Sequence, residues 1–269
     1  MSSAPDWGIG AYEVFAPSLS AAAEHLVELA APRPGERAVD LGCGTGNATL
    51  PLLQAGATVT AVDPSLRLLG LAAARAAAAD HQLASVVAGA ESLPLPDGDA
   101  DLIVSNFGMI FCPDAPAAFA ETTRVLAPNG RLLYTAWLPT GAIADVATVM
   151  REATGTKTQP SMPPVARDVE GPSVLWHDPA TFADLVPGGS DAVTLHHAEA
   201  VFSAESSEAW FTEQEIHHPM WLLAQQSLPD STWASIHHRA VAILDAASPA
   251  DQPFEIRSPY VVVEIRPRQ

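Results

Sequence analysis

The sequence predicts an α/β fold in which a doubly wound, mostly parallel sheet of seven strands follows an N-terminal helical segment. Three observations predict it. A glycine-rich turn joins an apolar run to a helical pattern within residues 38–63, strand and helix patterns alternate as far as residue 137, and 48% of the residues are hydrophobic, which is enough for a large core. Because no repeat or linker is visible, we expect residues 1–269 to form a single domain.

The strongly acidic composition excludes some classes of binding partner. The formal net charge is −18, and Lys157 is the only lysine, so nucleic acid and anionic membranes are improbable partners and a small molecule is favoured. Cys43 and Cys112 give neither a disulfide framework nor a zinc spacing. No leader-like or membrane-spanning apolar run is present, and we therefore expect a cytoplasmic protein. The oligomeric state is left open, with a homodimer among the alternatives.

Residues 1–36 are expected to form a cover segment. Trp7 and Tyr12 precede a helical pattern over residues 19–30. The aromatic residues either fold over a binding site or pack against the sheet edge, and the sequence does not decide between these interpretations.

The glycine turn comes next. A predicted strand ends at Asp40, Gly42 and Gly44 allow a tight turn that a ligand can approach closely, and a helix is predicted near Asn47. The second predicted strand ends on Asp63, where a carboxylate can hold a ribose diol. The spacing is G-x-G-x-G and not the G-x-G-x-x-G of nicotinamide sites, which favours a nucleoside without a pyrophosphate.

Further alternating patterns complete the predicted fold. Helices are expected over residues 66–79, 116–125, 142–153, 207–216 and 231–247, and strands over residues 86–87, 101–106, 132–137, 193–202 and 260–265. Between residues 140 and 175 a stretch rich in proline and glycine is too long for an ordinary connection, and we interpret it as a lid inserted after the fifth strand.

Residues 38–46, AVDLGCGTG, resemble motif I of the class I S-adenosylmethionine-dependent methyltransferases, usually written [VL]-[LV]-D-[LVI]-G-x-G-x-G. Residues 89–97 resemble the family's G-D-A-x-x-L-P-F-x-D, residues 106–111 its S-x-F-G-x-M-F, and residues 124–131 its R-V-L-x-P-G-G. The resemblance implies a Rossmann-like sheet with an antiparallel last strand, and a bacterial enzyme of the small-molecule, natural-product type.

The resemblance also implies a site for S-adenosylmethionine. Gly42 and Gly44 would back the methionine part, Asp63 would hold the ribose, and Asn106 would lie near the methionine carboxylate. The residues expected at the cofactor are Tyr12, Asp40, Gly42, Gly44, Asn47, Asp63, Pro64, Gly89, Ala90, Glu91, Asn106 and Phe107, and those expected at the methyl acceptor are Trp7, Met109 and Trp137. For Phe107 and Met109, ordinary core filling is the alternative.

The chain departs from the family pattern at Gly89, where the family generally has an aspartate that contacts the adenine. Either Glu91 reaches around, or backbone and stacking alone hold the adenine.

An oxygen acceptor needs its proton removed, and a neutral histidine is suited to this at physiological pH. His217 and His218 fall at the end of a predicted helix in the region that caps the pocket in similar proteins, so either is a candidate general base. The alternative is a helix-terminal histidine whose partners are backbone groups. Adjacent histidines diverge on a strand or helix, so we expect no metal site.

The predicted function is methyl transfer from S-adenosylmethionine to an oxygen or nitrogen of an aromatic or polyketide-like natural product. A cyclase or isomerase that uses the bound cofactor without methyl transfer, and a binding or regulatory protein with a vestigial site, are the alternatives.

Overall fold

The computed structural model describes residues 7–154, 174–249 and 253–267. The N-terminal segment forms two helices, α1 (Tyr12–Phe15) and α2 (Ser20–Ala30). Most of the predicted lid, residues 155–173, lies outside the described residues, and the lid stays a prediction.

The predicted alternation of strands and helices is confirmed. Ser65 and Asp114 each accept a backbone N–H from the first turn of the helix that follows, which fixes where those helices begin. The elements are β1 (Arg37–Leu41), α3 (Thr49–Gln54), β2 (Thr58–Asp63), α4 (Leu66–Ala78), β3 (Ala84–Val87), β4 (Ala100–Ser105), α5 (Ala115–Val125) and β5 (Leu126–Trp137).

The second half contains one helix that the sequence analysis missed. The elements here are α6 (Ala142–Thr154), β6 (Val193–Ser203), α7 (Ser207–His217), α8 (Pro219–Ser227), α9 (Asp230–Ala247) and β7 (Glu255–Ile265). The unpredicted helix is α8. Proline at its first position has a fixed φ that suits a helix start, so the segment after His217 both ends one helix and begins another.

The strand order is β3-β2-β1-β4-β5-β7-β6. The pairs β3–β2, β2–β1, β1–β4 and β4–β5 are parallel. At opposite ends of the last two strands, Arg266 N–H donates to Ala192 O and Ala204 N–H donates to Phe254 O, a crossed pattern that only antiparallel strands give. The chain order reverses beside β1, and open α/β sheets bind ligands where it does so, at the carboxyl ends of the strands.

The described residues group into two compact units. Residues 19–136, 174–198 and 261–267 form one, called here the sheet unit, and residues 7–18, 137–154, 199–249 and 253–260 form the other, called the helical unit. The single domain expected from the sequence stays a prediction. Across the described ranges, no helix is long and apolar enough to cross a membrane.

Within the sheet unit, a buried arginine joins β5 to the end of α2. The Arg131 guanidinium, 7% exposed, donates to Ala30 O at 2.9 and 2.6 Å and pairs with Glu36 at 2.6 Å. The hydrogen bond from Arg131 holds the pKa of Glu36 below its usual value. The bidentate fork satisfies carbonyl groups that the end of the helix leaves without intrahelical partners.

We expect Arg131→Met to lower the free energy of unfolding by about 3–5 kcal/mol, because it leaves Glu36 buried without its partner charge. Urea-induced unfolding followed by circular dichroism measures the change. Arg37→Met is the matched control, since Arg37 pairs with Asp101 at 2.6 Å on the protein surface and exposed pairs contribute little. Equal losses in the two variants would contradict this account.

Candidate functional site

The glycine turn after β1 lies against the loop after β4. Gly42 and Gly44 have φ angles of +68° and +54°, in the left-handed region that favours glycine. A Cβ atom added to Gly42 would lie 2.8 Å from the Gly108 Cα, and one added to Gly108 would lie 2.8 Å from the Gly42 Cα. The two backbones therefore touch where any side chain would separate them.

Asp40 is buried at the carboxyl end of β1 and is only half satisfied. Its Oδ2 accepts a hydrogen bond from the Thr49 hydroxyl at 2.6 Å, whereas Oδ1 has no hydrogen-bond partner among the described residues. Burial raises the Asp40 pKa to about 7; the Thr49 hydrogen bond opposes this shift and the charge of Asp63 adds to it. A buried acceptor without a donor is costly, and since Asp40 is only 1% exposed, this oxygen offers almost no surface to a ligand in this conformation.

Asp63, 5% exposed, organises the turn. Its Oδ2 accepts the Gly44 N–H at 2.9 Å and its Oδ1 accepts the Ser65 N–H at 2.8 Å. Burial raises the pKa of Asp63, and the two N–H bonds oppose that shift. A carboxylate has about four lone-pair sites, so both oxygens can still accept from ligand hydroxyls.

Asn47 and Pro64, two further residues predicted to contact the cofactor, have different environments. Asn47 accepts from the Arg75 guanidinium at 3.1 Å, and the same Arg75 nitrogen donates to Thr45 O at 2.7 Å. Pro64 is exposed. Arg75 therefore braces the start of the helix that follows the glycine turn.

The Glu91 carboxylate occupies the space beside Gly89. A Cβ atom added to Gly89 would lie 2.6 Å from Glu91 Oε2. The Cys112 thiol donates to the same oxygen at 3.3 Å, and burial raises the pKa of Cys112 to about 12, so the thiol keeps its proton at neutral pH. Contact between Glu91 and the adenine stays a prediction. The adjacent Ala90 is buried.

The loop after β4 is fixed by buried hydroxyl groups. The Thr135 hydroxyl accepts the Phe107 N–H at 2.7 Å and donates to Asn106 Oδ1 at 3.3 Å. Phe107 has a φ of +54° and is 4% exposed, and Met109 is 1% exposed. Side chains this deeply buried offer almost no surface to a ligand in this conformation. Core filling therefore accounts for Phe107 and Met109, and their ligand contacts stay predictions without support from the packing.

Five predicted site residues lie in the helical unit instead, namely Trp7, Tyr12, Trp137, His217 and His218. His218 is at the centre of an aromatic group there. The rings of Trp7, Tyr12 and Phe15 lie 5.9, 6.0 and 4.9 Å from the His218 ring. Its Nδ1 accepts the Met220 N–H at 3.3 Å and so caps the start of α8. Desolvation by these neighbours lowers the His218 pKa to about 3. Aromatic packing and helix capping give His218 a structural role.

His217 and Trp137 have different settings in the helical unit. His217 is half-buried and lines an open groove of about 430 Å³ with Glu205 and Ile216. The Trp137 ring packs 6.2 Å from the ring of Phe202. The role of His217 as general base and the contact of Trp137 with the methyl acceptor stay predictions. Over the described ranges, no group of three or more His, Cys, Asp or Glu residues is arranged to hold a metal ion.

The sequence analysis missed the hydroxyl residues that hold the site in place. Thr49 bonds Asp40, Ser105 donates to Leu41 O at 2.6 Å and accepts the Met109 N–H, and Thr135 fixes the loop after β4. All three hydroxyl residues are completely buried. Their position within apolar runs was the available signal, because a buried hydroxyl needs a hydrogen-bond partner.

Comparison with known proteins gives a consistent picture of the sheet unit. A protein-family profile described as "Methyltransferase domain" matches residues 39–134, a range that contains the glycine turn, Asp63, Glu91 and Asn106. An uncharacterized protein of Mycobacterium tuberculosis is 33% identical over 184 residues, which cover 68% of this chain and 64% of that protein.

A malonyl-[acyl-carrier protein] O-methyltransferase of Serratia marcescens is 32% identical over 148 residues, which cover 55% of this chain and 56% of that enzyme. The chain thus spans less than two thirds of the length of these relatives. The crystal structure of the YcgJ protein of Bacillus subtilis matches with a TM-score of 0.60 at 18% identity, covering 94% of this chain and 98% of that one. This likeness establishes the fold.

The raised pKa of Asp40 predicts a pH-dependent cost in stability. Between the ordinary carboxyl pKa of about 4 and about 7, the folded chain keeps a proton that the unfolded chain has lost, so stability falls as the pH rises. Asp40→Asn removes this titration and keeps an acceptor for Thr49. We expect the unfolding free energy of the variant minus that of the parent to increase by up to about 1.4 kcal/mol per pH unit across this window. Above the window the difference should stay constant.

Urea-induced unfolding at several pH values measures the effect, with Glu24→Gln, which changes an exposed carboxylate on α2, as the control. An Asp40→Asn difference that stays constant with pH would contradict the prediction.

Proposed function

We propose that this chain is a class I S-adenosylmethionine-dependent methyltransferase that transfers a methyl group to a small-molecule acceptor, a proposal supported by the profile match over residues 39–134. One observation carries the proposal. The segment matched to the family holds, at the carboxyl ends of β1 and β2, a glycine turn with left-handed backbone and the Asp63 carboxylate, which is positioned by the Gly44 and Ser65 N–H groups.

The residues present fit this cofactor. When bound, S-adenosylmethionine supplies an electrophilic methyl group on a sulfonium centre. Gly42 and Gly44 provide backbone that the methionine part can approach closely. Asp63 would accept from the ribose hydroxyls, and Asn106 would lie near the methionine carboxylate. The chain's contribution to the rate is mainly orientation of the two reactants.

The acceptor is an oxygen or nitrogen of an aromatic or polyketide-like natural product. Support comes from Trp137 of the helical unit, which is partly exposed, while Phe202 and Trp210, which pack in succession beside it, are buried. Aromatic surroundings suit a large apolar ligand. A natural-product pathway and a cytoplasmic location belong to this proposal and remain predictions.

We expect the intact chain to bind S-adenosylhomocysteine, and Asp63→Ala to weaken that binding at least tenfold, because the ribose loses its acceptor and the Gly44 N–H loses its partner. Isothermal titration calorimetry measures both affinities, and Glu24→Ala, on the exposed face of α2, should bind like the parent. If the unsubstituted chain does not bind the ligand, the proposal fails and a vestigial regulatory role is favoured.

The reaction itself is tested with S-adenosylmethionine labelled at the methyl carbon and a panel of aromatic and polyketide-like phenols and amines. Label in a product supports the proposal. An unlabelled product that forms only with the cofactor bound would support the cyclase or isomerase alternative instead.

His217 is the candidate general base, because the His218 Nδ1 is already used to cap α8. With an oxygen acceptor, His217→Gln should lower kcat about 10²-fold or more. His218→Asn should keep kcat within a few fold, since asparagine is also a good N-cap residue. Steady-state kinetics distinguishes the two variants. Full activity in His217→Gln, or a greater loss in His218→Asn, would exclude this assignment.

A further inference from the structure

We propose that Arg75, on α4, is a positioning residue for the cofactor, because it holds the second half of the glycine turn in the conformation that binds S-adenosylmethionine. This inference rests on the proposed function, since the turn must first be a cofactor site. Its consequence is that Arg75 raises the affinity for the cofactor and leaves the methyl-transfer step unchanged.

The first half of the glycine turn is fixed by β2. The Gly42 and Cys43 N–H groups both donate to Val62 O, at 2.8 and 3.1 Å. The Gly44 N–H donates to the Asp63 carboxylate at 2.9 Å. The rest of the turn needs another support, because glycine gives the backbone more conformational freedom than any other residue.

The second half of the turn lies against α4. Gly46 has a φ of +87°, and a Cβ atom added there would lie 3.2 Å from the Ala72 Cβ, so the helix packs directly on the backbone. Arg75 lies three residues further along α4, on the same helix face. Its Nη1 donates to Thr45 O at 2.7 Å, to Thr45 Oγ1 at 3.3 Å and to Asn47 Oδ1 at 3.1 Å. Arg75 therefore joins the two residues that flank Gly46.

The hydrogen bonds of Arg75 have a charged donor and uncharged acceptors. All three acceptors are carbonyl, hydroxyl or amide oxygens, and a hydrogen bond with a charged partner is about twice as strong as one between neutral groups. Thr45 is only 3% exposed, so water competes little for its oxygen atoms, although the arginine itself is exposed. The contact at 2.7 Å is therefore a strong restraint on the backbone at Thr45.

The glycine turn is tied to α4 at two places. Near the start of the helix, the Ser65 N–H donates to the same Asp63 carboxylate that accepts the Gly44 N–H. Further along the helix, Arg75 bonds Thr45. Because a helix keeps its residues at fixed distances, the two ties restrain the turn before a ligand binds. A ligand that binds a restrained turn loses less free energy to ordering.

This argument distinguishes a positioning residue from a merely structural one. Ordering of the turn takes place when the cofactor binds, so its cost is the same in the ground state and in the transition state. Loss of Arg75 should then raise KM for the cofactor and leave kcat unchanged. A residue that only stabilises the fold would lower the free energy of unfolding and leave the affinity of the folded chain unchanged.

The test measures binding of S-adenosylhomocysteine by isothermal titration calorimetry. Arg75→Met should bind at least tenfold more weakly than the parent. Arg75→Lys should bind within about threefold of the parent, because a single nitrogen makes all three contacts and an ammonium group offers three donors. Arg37→Met is the matched control, since it removes the same charge at the opposite end of β1 from the turn, and it should bind like the parent.

Hydrogen exchange measures the turn without a ligand. The Gly46 N–H donates to Cys43 O at 2.9 Å, and in Arg75→Met this amide should exchange at least tenfold faster than in the parent. Circular dichroism and thermal unfolding establish that each variant is folded. Arg75→Gln, which is neutral, shorter and a good helix former, takes the place of Arg75→Met should that variant not fold.

Steady-state kinetics with a methylated acceptor adds a second readout. In Arg75→Met, KM for S-adenosylmethionine should rise at least tenfold while kcat stays within about twofold. An equal fall in kcat and in kcat/KM would overturn the assignment, because the lost interaction would then belong to the transition state alone.

The outcomes separate the two proposals. If the intact chain binds S-adenosylhomocysteine and Arg75→Met binds it equally well, the role of Arg75 is overturned and the proposed function stands. Equal losses in Arg75→Met and Arg37→Met also overturn that role, since charge alone would explain them. If the intact chain does not bind the ligand, both proposals are overturned. Weaker binding that lysine restores supports the assignment.

Discussion

The carboxylate of Asp63 is the constraint on which the site depends. It receives one backbone N–H from the turn after β1 and another from the start of α4, so a single side chain fixes how a strand end, a neighbouring turn and a helix start meet. Neither oxygen is saturated by these bonds. The group that shapes the site is thus also free to bind a ligand, and this dual role explains why an acid occupies a position that desolvation makes unfavourable.

Asp40 is a second acidic residue that is buried at an unfavourable position. Burial beside a second carboxylate raises its pKa to about 7, and one of its oxygens has no donor among the described residues. An apolar residue would pack there without that penalty. A polar group that lowers stability is typical of functional sites.

The parts of the fold that follow from local rules were predictable. Glycines at 42 and 44 are required by left-handed backbone and by the close approach to Gly108, and each β-strand of the parallel core has its own apolar run. The missed helix α8 is only nine residues long, and short helices are decided by tertiary packing more than by propensity. The burial of Met109 and the position of the Glu91 carboxylate over Gly89 depend on three-dimensional neighbours that no spacing encodes.

The two adjacent histidines show most clearly the difference between what the sequence predicts and what three-dimensional packing decides. His217 and His218 are adjacent and equally suited to proton transfer by residue type, yet one lines a groove and the other is held by three aromatic rings with its Nδ1 bonded to a helix start. Since α7 ends and α8 begins between them, their side chains belong to different environments. A ring nitrogen that accepts a backbone N–H is not free to take a substrate proton at that atom, so the geometry of the helix junction, and not the chemistry of the residue, distinguishes a candidate base from a cap.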